Sequence, residues 1–114
     1  MEPLSKELKH EIHKRMLRFY AVSIILKEKN FARFLKNYIF PNINPDRPYE
    51  GNIADWKTDC YIKRNPDRCF KGFVKTIEYI GKEKFAEQAK EAIKEVDDIG
   101  SMASYSGRFK IKPR

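Results

Sequence analysis

The sequence predicts an all-α bundle, and three observations carry that prediction. Apolar residues recur at three- and four-residue spacing in five successive segments. Ser, Asn or Gly stands at the start of each segment, and Pro or Gly punctuates several boundaries. Outside the C-terminal tail, where cations alternate with Phe109 and Ile111, no stretch of strand length alternates apolar with polar residues, and neither a strand nor an internal repeat is read.

Ser5 caps the first helix, predicted over residues 5–28, with Leu8, Ile12, Met16, Phe19 and Tyr20 as its first stripe. Ala21, Val22, Ile24, Ile25 and Leu26 then follow without a polar face. That change of phase predicts a kink or short break near Tyr20–Ser23. Asn30 caps a second helix over 30–39, with Phe31, Phe34, Leu35, Tyr38 and Ile39 inside. Pro41 is expected to force Phe40 out of helical geometry and end that helix. The loop 41–51, PNINPDRPYEG, holds three prolines and no apolar period. It reads as stiff, with room for a single helical turn.

Asn52 caps a helix over 52–64, and Asp55 three residues on makes a weak capping box. Ile53, Trp56, Cys60 and Tyr61 form its stripe. Asn65 reads as the side-chain cap of the next helix, 66–80, with Pro66 at the first helical position and Asp67 at the positive end of the dipole. Phe70, Phe73, Val74, Ile77 and Ile80 line its apolar face. Gly81 sits where a left-handed C-terminal residue belongs. Phe85, Ala89, Ala92, Ile93 and Val96 then define a last helix over 82–97. Trp56, Phe70, Phe73, Ile77 and Phe85 are expected to be buried together. Gly72 inside a helix costs ~1 kcal/mol relative to Ala, which predicts close approach of another helix there.

One hundred and fourteen residues make one domain, able to bury roughly two-thirds of its unfolded surface. Eight Phe, six Tyr and one Trp argue against disorder despite 35% charged residues. No apolar run has the length of a membrane span. The start, MEPLSKELKHEIHKR, lacks the apolar centre of a signal peptide, so an intracellular, cytoplasmic domain is the expectation. Cys60 and Cys69 have neither CxxC spacing nor a second pair, and read as free, buried thiols rather than a disulfide.

The net charge is +8, and it is unevenly spread. Residues 1–40 hold nine Lys/Arg against four acids, whereas 82–100 hold four Lys against six acids. The domain is expected over 1–99. Residues 100–114 form a basic, flexible tail with four cations and no acid, whose GSMAS stretch resembles a cloning scar. Lys14, Arg15, Arg18, Arg33 and Lys36 form a basic group, either a solubilising surface or a patch for acidic protein or phosphate. Glu83, Glu87, Glu91 and Glu95 recur every four residues and share one face of the last helix, either a solvated stripe or an acidic docking surface.

Catalytic signatures are missing. There is no phosphate-cradling glycine loop, no dinucleotide fingerprint and no nucleophile elbow. His10 and His13 stand three apart without the H-E-x-x-H pattern, and read as solvated histidines rather than metal ligands. The expectation is a chain that is not an enzyme and uses neither cofactor nor metal.

Phe70-Lys71-Gly72-Phe73-Val74 with Ile77, followed by Gly81, resembles the aromatic fifth helix and inter-helix glycine of caspase activation and recruitment domains (CARDs), especially those of RIG-I-like receptor and Dicer-related helicases. Gly51-Asn52-Ile53-Ala54 and Lys63-Arg64-Asn65-Pro66 resemble the family's fourth helix and the turn after it. Cys69 stands where the family usually carries Trp, and the proline-rich loop is longer than the usual connection, so the likeness is to an atypical CARD. The resemblance implies a six-helix antiparallel Greek-key bundle of the death-fold type. It also implies a non-catalytic docking module, joining basic to acidic surfaces in innate immunity or RNA interference. The alternative is a small basic helical domain that binds nucleic acid directly, with Lys14, Arg15, Arg18 and the tail on phosphates.

Overall fold

The computed structural model describes residues 4–49 and 52–98; the 100–114 tail and its GSMAS stretch lie outside the described residues. Five helices make up the described chain, and no strand occurs in it: α1 (Lys6–Ile25), α2 (Phe31–Phe34), α3 (Ile53–Arg64), α4 (Pro66–Ile80) and α5 (Lys82–Asp98). α2 runs on as a π turn over Leu35–Ile39 and a 3₁₀ turn over Phe40–Asn42. The radius of gyration is 13.7 Å, close to that of a compact domain of this length.

α1 is the central helix, and α2, α3, α4 and α5 all pack on it. Ser5 caps it as predicted, its side-chain oxygen accepting the Leu8 N–H at 3.1 Å. The break expected at Tyr20–Ser23 is absent: α1 continues unbroken to Ile25. Its surroundings explain why. Partners lie on more than one side of α1, and Ala21, Val22 and Ser23 are all buried, so an all-round apolar run needs no change of direction.

The helix stops earlier than residue 28 because of a backbone motif. The Glu28 N–H donates to the Ser23 carbonyl and the Lys27 N–H to the Ile24 carbonyl, at 2.8 and 3.0 Å. That is a Schellman closure, with Lys27 at φ 58° in the place glycine usually takes.

Pro41 does not expel Phe40 from helical geometry. Phe40 has φ −60° and ψ −40° and donates its N–H to Leu35, five residues back. A proline inside an α-helix clashes with the carbonyl four residues before it. The wider π turn shifts the pairing by one residue just ahead of Pro41, and the chain closes with a 3₁₀ turn.

The following loop is sewn to α3. The Trp56 indole N–H donates to the Asn44 carbonyl at 2.8 Å, and Lys63 Nζ to the Ile43 carbonyl at 2.7 Å. Ile43 is fully buried, although a lone apolar residue gives no periodicity to read.

Asn52 caps α3 as predicted. Its Oδ1 accepts the Asp55 N–H at 3.0 Å and its Nδ2 donates to the Asp55 carboxylate at 2.8 Å. Asn65 does not cap α4 through its side chain; Nδ2 instead donates back to the Tyr61 carbonyl at 3.0 Å. Gly81 is the single residue between α4 and α5, at φ 91° and ψ 161°, a conformation open in practice to glycine alone.

Phe73 is the hub of an aromatic cluster, with ring centroids 5.8 Å from Phe31 and 6.1 Å from Phe85. Tyr20 closes the cluster at 5.5 Å from Phe31 and 5.4 Å from Phe85. Phe70 joins it through Phe31. Phe73 is buried, whereas Phe70, Ile77 and Phe85 are half-buried against the core. Trp56 is half-buried and faces the loop rather than this cluster, because its indole N–H needs an acceptor. Ile53 and Val74, both read as core, are exposed. Gly72 is exposed too, and a Cβ built there meets nothing within 4 Å, so no helix of this domain repays its cost.

Candidate functional site

The two charged groups read from the sequence meet along the line where α1 packs on α5. His10, Lys14 and Arg18 from α1 and Glu91 and Glu95 from α5 line a common groove of about 470 Å³. Arg18 Nη1 lies 4.0 Å from Glu95 Oε2, and both side chains keep substantial exposure. Lys14 lies 3.7 Å from Glu11 on its own helix. Pairs this open hold little energy, about 0–1 kcal/mol, and remain exchangeable for partners. Glu83 and Glu87 are exposed on α5 beyond the groove. Arg33 on α2 and Lys36 on the π turn are exposed but do not line it.

Arg15 also lines this groove, but it is buried there and committed to partners within the domain. Only 6% of it is exposed. Its Nε and Nη2 donate to both oxygens of Asp59, at 2.7 and 2.9 Å, and its Nη1 lies 3.3 Å from Asp55. The guanidinium also sits 5.2 Å from the Phe19 ring centroid. The Tyr49 hydroxyl donates to Asp59 at 3.0 Å, tying the proline-rich loop to the same pair.

A bare buried guanidinium is costly, so it is found with a carboxylate fork. Burial pushes the Asp59 carboxyl above the usual carboxylate range, while the Arg15 fork and the Tyr49 hydroxyl pull the other way. Burial, with the Asp59 charge beside it, raises Tyr49 well above the ordinary phenol range, so its proton stays in place as a donor.

Sequence reasoning missed Asp59, and a signal was present. Asp59 is three residues from both Trp56 and Ile62 and next to Cys60, so it shares the inward face of α3. Arg15 likewise falls three residues after Ile12 and four before Phe19. A charge on an inward stripe calls for a buried partner of opposite sign.

His13 serves packing. Its Nε2 is 2.9 Å from Gln88 Oε1 on α5, and its ring lies 5.4 Å from that of Phe73. Among the described residues, no three His, Cys, Asp or Glu side chains gather as a metal site. Cys60 and Cys69 are buried free thiols. Burial pushes both upward, Cys69 to about 11, with Arg68 pulling weakly against it. Among the described residues, no helix is long and apolar enough to cross a membrane.

No protein-family model, no curated protein and no solved structure matches this chain.

Proposed function

We propose that this chain is a non-catalytic protein-docking module, an atypical CARD of the kind carried by RNA-sensing or small-RNA-pathway helicases. In this reading the bundle is a six-helix Greek key, and the 3₁₀ turn Phe40–Asn42 is its short third helix. The observation that carries the proposal is the mixed sign of the α1–α5 groove. Lys14 and Arg18 stand beside Glu91 and Glu95, with Glu87 exposed on the same helix as those acids. A phosphate backbone offers one sign of charge and is repelled by that row of acids. A protein surface can match both signs, and such matching governs partner choice and encounter rate.

The test compares two charge reversals: Lys14→Glu with Arg18→Glu, of which Arg18 is half-buried, and the exposed pair Glu87→Lys with Glu91→Lys. Each variant is used as bait in pull-downs analysed by mass spectrometry, beside gel shifts with single- and double-stranded RNA. Both reversals are expected to lose the partners of the wild-type bait, with binding that weakens as salt is raised. An acid reversal that strengthens RNA binding, with no protein partner lost, would replace docking by nucleic-acid binding.

A further inference from the structure

α1 and α4 leave a second groove between them, away from the acids of α5, with a volume of about 550 Å³. Most of its lining surface is apolar, and the largely buried Ile12 from α1 and Cys69 and Phe73 from α4 contribute to it beside the polar His13, Arg68 and Thr76. Lys9 from α1 and Lys71 and Lys75 from α4 also line it, and none of the described residues lining it is Asp or Glu. All three lysines are exposed, and among the described residues none of them makes an ion pair. Gly72 completes the wall between Lys71 and Phe73, bare of any side chain.

We infer that this groove binds an acidic peptide segment that seats one apolar side chain against Gly72. Two independent features of the groove define that occupant. The unpaired lysines on both helices, with no carboxylate among the lining, favour a negatively charged ligand. The apolar lining between them favours an anchor that leaves water, which a phosphate backbone does not supply. Gly72 adds a steric reason. Glycine in a helix interior is unfavourable, and nothing within this domain uses the space it leaves. Glycine is the residue that lets a ligand approach the backbone closely. An amphipathic helix or strand with acids flanking one apolar residue meets all three conditions.

The site shares only His13 with the α1–α5 groove and none of the side chains tested in either, so each can fail alone. The test selects a random peptide display library on the immobilised full chain, then measures the enriched peptides with a fluorescein label by anisotropy. The enriched peptides are expected to carry acids around one apolar residue. Lys71→Glu with Lys75→Glu should weaken them by at least about tenfold, a change well outside measurement error. Gly72→Leu, which fills the groove while improving helix propensity, should weaken them as much without lowering the melting temperature. Lys14→Glu with Arg18→Glu should leave them unchanged.

Peptides without an acidic bias, or acidic peptides indifferent to both groove variants, would overturn the inference. So would a labelled single-stranded RNA that binds with the same dependence on Lys71, Lys75 and Gly72. Should Gly72→Leu fail to fold, the exposed lysine pair decides alone.

Discussion

Arg15 and Asp59 form a two-pronged ion pair between α1 and α3, 44 positions apart in sequence, with N–O distances of 2.7 and 2.9 Å. Asp59→Asn would take the buried counter-charge from Arg15 and leave only the half-exposed Asp55, 3.3 Å from Nη1. The expected cost is about 3–5 kcal/mol in urea unfolding. Replacing the whole cluster, Arg15→Met with Asp59→Leu and Tyr49→Phe, should recover most of that loss, since no buried polar group is then orphaned. Equal losses in the single and triple variants would show that the pair is worth more than its desolvation.

Two backbone exchanges should stabilise the domain. Lys27 holds φ 58°, a conformation that costs an L-residue about 1–2 kcal/mol. Lys27→Gly relieves that strain and gives back part in unfolded-chain entropy, for a net gain of about 0.5–1 kcal/mol. Gly72→Ala meets open space and should gain up to ~1 kcal/mol. A fall in melting temperature for either variant would contradict the conformation assigned to that position.

Phe73 and Trp56 should respond very differently to substitution. Phe73 is 4% exposed and touches four rings, so Phe73→Ala should cost about 3–5 kcal/mol. Trp56→Phe keeps most of the packing and gives up the bond to Asn44, for about 0.5–1.5 kcal/mol. Chemical denaturation of both variants checks the pair. A loss below about 1 kcal/mol for Phe73→Ala would place that ring outside the core.

The two thiols should be inert in the folded protein. Cys69 is 2% exposed and its pKa is pushed up to about 11. A raised thiol pKa means less thiolate, and thiolate is the reactive form. At pH 8 a disulfide-exchange reagent should therefore label neither Cys60 nor Cys69 until denaturant is added. Rapid native labelling of either would mean that α3 or α4 opens locally.

The helices were legible because their information is local. The Ser5 and Asn52 caps, the Pro66 start and the Gly81 junction each act within one turn of chain, and all four stand where the sequence places them. The end of α1 was not legible, since a lysine occupies the left-handed position where glycine would have announced the stop. The fate of Phe40 was hidden for a similar reason. Proline reports a conflict with the helix, not whether a π turn will absorb it.

The charged groups divide on the same line. The four-residue recurrence of Glu83, Glu87, Glu91 and Glu95 fixed a common exposed face before any packing was known. Packing alone set Glu95 opposite Arg18 and turned Arg15 inward onto Asp59. It likewise brought Lys9 of α1 beside Lys71 and Lys75 of α4. By itself the sequence determined which segments are helical, where most of them begin, and which residues carry charge. Only the tertiary structure decided which charges are buried, paired or left open, because that depends on which helix faces lie against each other, and those contacts join residues far apart in the chain.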